Sequence, residues 1–184
     1  QGISNGDTIG GPYAMASLVA QTLGKKPLDL QTLGQVYLDY YNSGSFDSGA
    51  TFQHVHELMG HGLRRSDAVF ETHKLFKGAT AGCNPMHRFA VVAGLDVSYD
   101  QLDTLARRDA KMTHYDPVAG ICSGVLARIL HRCIQGEVLS CAYQSVINEL
   151  PDREQILFDV ALSESGYAPA VLKTAIEFAK DTRF

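Results

Sequence analysis

Tryptophan is absent from the 184 residues, and no apolar run approaches the roughly 20 residues that a membrane-spanning helix needs. No charged n-region, apolar stretch and small-residue cleavage site open the chain, so the expected setting is the cytoplasm. Charge of one sign is lacking too. Sixteen basic and 20 acidic residues are mixed along the chain for a formal net charge of -4, which leaves no electrostatic footprint for nucleic acid or an anionic membrane. The four cysteines, Cys83, Cys122, Cys133 and Cys141, have neither CxxC pairing nor zinc-ribbon spacing, and reduced, packed thiols are expected. Sustained alternation of apolar and polar residues between turns is also missing, which excludes a fold built on half-buried strands.

What is present has helical period almost throughout. Pro12 suits the first turn of a helix running to about Leu23, where Gly24 ends it. Asp29 is placed to cap a helix whose apolar stripe is Leu30, Leu33, Val36, Tyr37 and Tyr40. The spacing predicts further helices at about residues 51 to 59, 66 to 76, 85 to 94, 98 to 111, 117 to 135, 137 to 149, 152 to 162 and 169 to 180. Ser66, Ser98 and Asp152 are candidate caps. With no repeat, low-complexity tract or linker, the expected fold is all-α, a single domain over residues 1–184 forming a compact orthogonal multi-helix bundle. Any site must then be assembled from loops and helix ends.

Several polar helix starts are candidates. "NGDTIGGPYAMA" sets Asp7 among glycines before a helix, but no strand precedes it and no lysine follows, so the phosphate-loop patterns fail. A turn and a site aspartate both remain open for Asp7. "GSFDSGAT" places Asp47 beside the hydroxyls of Ser48 and Thr51, either a partial oxygen ligand set for a hard cation or a helix cap. "HVHELMGHG" fails the HExxH test, because His56 and His61 are five apart, and surface or capping roles are expected for His54, His56 and His61. In "TAGCNPMHRF" Pro85 opens a helix with Asn84 at its cap and Arg88 on its first turn, an arrangement suited to an anion. "MTHYDPVAG" repeats the design, with His114, Tyr115 and Asp116 ahead of Pro117.

Five segments in order, "GDTIGGPYAM", "YLDYYNSGSFDSGAT", "TAGCNPMHR", "THYDPVAG" and "SESGYAPAVLKTAIEFA", resemble the ADP-ribosylglycohydrolases, a family that includes dinitrogenase reductase-activating glycohydrolase and the J1 crystallins. The resemblance covers nearly the whole chain. It implies an all-α fold with a cleft that holds two magnesium or manganese ions, binds ADP-ribose and hydrolyses its bond to a protein side chain or other acceptor. Gly6 and Asp7 match the family's first loop, so the resemblance favours a site role for Asp7. Asp47, Ser48 and Thr51 fall on its Thr-Asp-Asp-Thr metal motif, with Asp7 and Asp47 the implied catalytic carboxylates. Gly82 to Arg88, including Asn84, fall on its ribose and phosphate loop, and His114 on its helix-start histidine. Tyr115 or Tyr167 would stack on the adenine.

Such a site must meet oxocarbenium character at the ribose anomeric carbon with carboxylates and a positioned water. Here the sequence departs from the family. Ala14 stands where many members carry a glutamate, Phe46 and Ser48 flank a single Asp47, and the second metal motif, Gly-Asp-Thr-Asp, would follow Phe184. Three functions are therefore compatible with the residues: a magnesium-dependent ADP-ribosyl hydrolase, an ADP-ribose-binding pseudoenzyme, and a structural crystallin-like protein.

Overall fold

The computed structural model describes residues 11–23, 29–44, 48–162 and 165–181. Among them the chain forms ten α-helices, two short 3-10 helices and no strand, the all-α architecture that the periodicity predicts. The helices are α1 (Gly11–Leu23), α2 (Leu30–Asn42), α3 (Ala50–Gly60), α4 (Arg65–Leu75), α5 (Asn84–Phe89), α6 (Tyr99–Ala110), α7 (Pro117–Ile134), α8 (Leu139–Asn148), α9 (Asp152–Gln155) and α10 (Ala168–Asp181).

Local chemistry starts several of them. Asp29 accepts the Gln31 and Thr32 amides at 3.0 and 2.9 Å. Ser98 and Gln101 form a reciprocal capping box ahead of α6. Asp116 accepts the Val118 amide at 2.9 Å while Pro117 fills the first helical position, where no donor is needed. Other expected caps are displaced. Ser66 and Asp152 lie inside helices that begin after Arg64 and Pro151. The cap of α3 is Gly49, at φ 81°, so Ser48 turns into the interior instead of covering the helix end.

Two expected helices are shortened. The one at 85–94 becomes α5 followed by a 3-10 turn, Ala90–Gly94, and the Ala93 carbonyl bonds to His131 Nδ1 at 3.0 Å instead of continuing an α-helical ladder. The one at 152–162 ends at Phe158 after a 3-10 turn. Asp159 leaves helical geometry, and the Val160 carbonyl accepts a bond from Lys173 Nζ on α10 at 2.6 Å. Ile156 and Leu162, apolar residues within the expected span, are exposed.

The core is organised about α7. Ile121, Val125 and Ile129 pack into a cluster completed by α8 and α10, and Ala127 into a second one completed by α1, α2 and α6. Its 18 residues are apolar enough to match a short membrane span, and half of them are buried inside the fold. Gly120 and Gly124 let α6 approach closely. A Cβ built at Gly124 would lie 2.3 Å from Asp103 Oδ1. Asp103 has little room to yield, because its other oxygen is held by Arg107 at 2.6 Å and Arg107 in turn grips Glu154 of α9. Gly124→Ala should lower stability by about 1–3 kcal/mol, the usual cost of an extra methyl in a packed interface. A thermal midpoint equal to that of the unmodified protein would show that α6 and α7 separate without strain.

The remaining side-chain expectations divide. The four cysteines are free thiols, with Cys122 buried but Cys141 exposed on α8 rather than packed. His54 pairs with Glu57 at 3.1 Å, and His61 sits at the C-terminal cap of α3. His56 is a correction, since it is fully buried. It lies against the Phe52 and Tyr41 rings, and its Nδ1 bonds to the Phe52 carbonyl at 2.8 Å.

Candidate functional site

Three polar helix starts picked out in the sequence meet around one cleft. The α3 entry supplies Ser48, Gly49, Ala50, Thr51 and Phe52, and the loop before α5 supplies Gly82, Cys83 and Asn84. The segment ahead of the α7 cap supplies His114, and Gly166 closes the remaining side. The cleft measures about 200 Å³.

The walls are tied together by backbone and side-chain bonds. An isolated antiparallel bridge pairs Gly82 with Tyr167. It is made by the Cys83 amide to the Gly166 carbonyl at 3.1 Å and the Ala168 amide to the Ala81 carbonyl at 2.9 Å. Asn84 joins the other two walls, its Nδ2 donating to the Ser48 carbonyl at 3.0 Å and its Oδ1 accepting from Arg88 at 2.8 Å. Asn84 is the first residue of α5 and Cys83 holds the cap position, one residue earlier than expected.

Arg88 does not face the cleft, which corrects the expectation of an anion-binding arginine. Its side chain is fully enclosed, pairing through Nε with Asp109 Oδ2 at 2.9 Å and through Nη2 with the Asp109 carbonyl at 2.9 Å. Nη1 donates to Asn84 Oδ1 and to Thr113 Oγ1, the latter at 2.9 Å. The guanidinium also lies over the Tyr37 ring at 4.5 Å, and the Tyr37 hydroxyl donates to Asp109 Oδ1 at 2.8 Å. Burial pushes the Asp109 carboxyl above its ordinary pKa, against the pull of Arg88 and of the Tyr37 and Arg88 hydrogen bonds. The role of Arg88 is thus to brace Asn84 and Thr113 from behind. Sequence reasoning missed Asp109, Thr113 and Tyr37, because nothing in their spacing marks a contact between α2, α5 and α6.

His114 is almost wholly buried and its Nδ1 lies 2.8 Å from Thr113 Oγ1. Burial, reinforced by the nearby Arg88 charge, lowers its pKa to about 3, so the imidazole is neutral at physiological pH. Its Nε2 lies 3.2 Å from where a Cβ on Gly82 would stand. The absence of a side chain at Gly82 keeps that nitrogen open to the cleft.

The two tyrosines flank this region. Tyr167 is 39% exposed beside Gly82 in the bridge. Tyr115 is 50% exposed and rests on the Phe70 and His73 rings, with centroids 5.3 and 4.7 Å away. His73 and the Asp116 amide both bond to the buried Thr80 hydroxyl, at 2.6 and 3.3 Å, which fixes the segment carrying His114 and Tyr115 against α4.

Asp7 and Asp47 lie outside the described residues. Ala14 does not line the cleft, although its neighbour Met15 touches Asn84 through a 3.4 Å contact to Sδ. Among the described residues the lining has hydroxyl, amide and imidazole groups and no carboxylate. No group of three or more described His, Cys, Asp or Glu side chains could hold a metal ion. Ser48 and Thr51 alone, both neutral, do not fit a divalent cation, whose charge is normally met by carboxylates.

A sequence model of the ADP-ribosylglycohydrolase family matches residues 8–183. No curated protein and no solved structure matches the chain.

Proposed function

The chain belongs to the ADP-ribosylglycohydrolase family, and from that premise we propose that the cleft holds the ribose and adjoining phosphate of an ADP-ribosyl group for hydrolysis of its glycosidic bond. The observation that carries this reading is the convergence of the His114 Nε2 and the Gly82 and Gly166 backbone in one cleft. At about 200 Å³ it is smaller than the roughly 300–1,000 Å³ of sites that enclose a drug-sized ligand. It suits a sugar or phosphate portion, with the adenine left outside beside Tyr167 or Tyr115.

The chemistry would divide by position. Hydrogen-bonding groups in the cleft orient the ribose and hold its anomeric carbon in one place. A carboxylate removes a proton from the attacking water, the new C–O bond forms at the anomeric carbon, the bond to the acceptor breaks, and the departing atom takes up a proton. Asp7 and Asp47 are the residues proposed for these roles. Magnesium dependence likewise rests on Asp47 and Asp7 supplying the charge that Ser48 and Thr51 lack. The described residues of the lining carry no carboxylate, which favours a second reading, ADP-ribose capture without turnover.

Calorimetric titration with ADP-ribose, in magnesium and again in a chelator, tests both, together with hydrolysis assays on ADP-ribosylated arginine and serine. Hydrolysis is expected with magnesium, and Asp47→Asn should weaken binding of the ion. Binding that ignores the chelator without any hydrolysis would select the capture reading. No binding under either condition would remove ADP-ribose from this cleft.

A further inference from the structure

We propose that Thr113, itself braced by Arg88, is a positioning residue that locks His114 in the tautomer carrying its proton on Nε2, so that the cleft offers a neutral hydrogen-bond donor to an acceptor oxygen of its ligand. The inference rests on the ADP-ribose reading for the identity of the ligand, and on the hydrogen-bond inventory alone for the tautomer.

Arg88 Nη1 can only donate, so Thr113 Oγ1 accepts that bond at 2.9 Å. Thr113 is fully buried, and the other group bonded to its hydroxyl is His114 Nδ1, at 2.8 Å. If Nδ1 carried the imidazole proton, it too would donate to Oγ1, and the buried threonine hydroxyl proton would be stranded without an acceptor among the described residues. Leaving a buried donor unmade costs about 1–3 kcal/mol. The arrangement that satisfies every group has the hydroxyl donating to a bare Nδ1, which places the imidazole proton on Nε2. Among the described residues that nitrogen makes no hydrogen bond, and it stands beside the missing Cβ of Gly82, a residue that lines the cleft. A neutral N–H in this position recognises an oxygen lone pair, as on a ribose hydroxyl or a phosphate, without the salt dependence of a cation.

The test reads the tautomer directly. In nitrogen-15 spectra of imidazole-labelled protein at neutral pH, the His114 signals should show a protonated Nε2 and a bare Nδ1. Thr113→Val should bring in the Nδ1-protonated form and weaken ADP-ribose binding by about tenfold, the upper range for one hydrogen bond. Thr113→Ser should restore both. Gly82→Ala should keep the tautomer and still weaken binding, because its methyl would cover Nε2. A protonated Nδ1 in the unmodified protein would overturn the proposal even if the valine variant failed to fold, as would a valine spectrum identical to the original. If the unmodified protein shows the expected tautomer but no affinity for ADP-ribose, the assignment of the ligand falls and the Thr113 relay stands.

Discussion

Arg88→Met is expected to destabilise the protein by about 3–5 kcal/mol, the range for breaking a buried ion pair by removing one partner. Both members of the pair are fully enclosed and lie 2.9 Å apart. Methionine can occupy much of the space, but it leaves the Asp109 carboxylate in the interior with the Tyr37 hydroxyl as its one side-chain donor among the described residues. It also unties Asn84 and Thr113, so the cleft should lose its shape along with its stability. With a typical domain stable by about 5–15 kcal/mol, a loss of this size is a large share of the total. Urea unfolding of Arg88→Met and of the double variant Arg88→Met, Asp109→Leu is the decisive comparison. The double variant should be the more stable of the two, since it leaves no buried charge unpaired. If Arg88→Met unfolds at the same urea concentration as the parent, the pair makes no net contribution.

A second large effect is expected from pH. Burial, with smaller contributions from the Arg65 and Arg88 charges, lowers the His56 pKa to about 4, against the favourable bond to the Phe52 carbonyl. The Nε2 of His56 is buried with no hydrogen-bond partner among the described residues, so a proton added there would find no acceptor among them. His114 is lowered further, to about 3, chiefly by burial. For both groups the folded pKa lies below the unfolded one. Above about pH 6.5 the histidines are neutral in both states and cost nothing. As the pH falls below that value, the unfolded chain binds protons that the folded chain refuses, and stability declines through the window down to each folded pKa. The loss for His56 alone approaches about 3 kcal/mol by pH 4, and His114 adds a loss of similar order. Denaturant midpoints measured from pH 7 to pH 4.5 should therefore drop steeply, and His56→Phe should flatten the decline by about one proton. An equal slope in the variant would mean that His56 takes up its proton without unfolding.

The sequence made some parts of this protein legible and hid others for identifiable reasons. Caps at Asp29, Ser98 and Asp116 were readable because capping is local chemistry between residues two or three apart. Three walls of the cleft were readable as polar helix starts, and Gly82, Asn84, His114, Ser48 and Thr51 do line it. Gly166 entered only through the resemblance, since it is an ordinary turn glycine until Tyr167 pairs with Gly82. Arg88 was misread because its partner, Asp109, is 21 residues away on another helix, and a helix start followed by an arginine looks the same whether the guanidinium points outward or inward. His56 carried a signal that was passed over. It falls four residues after Phe52, on the same helical face as a core aromatic, and that spacing favours burial.

Because Gly82 pairs with Tyr167, the cleft is completed only after the segment carrying Tyr167 has been synthesised. Two walls emerge early, with the α3 entry and the loop before α5, and His114 follows them. The hydrogen bonds that hold the Gly82 loop in place wait for the Gly166 carbonyl and the Ala168 amide at the head of α10. Until that helix docks, the loop has no partner for those backbone groups. Fraying of α10 would likewise release it, so occupancy of the cleft and anchoring of α10 are thermodynamically linked, and a ligand that grips the Gly82 backbone would also slow hydrogen exchange at Ala168.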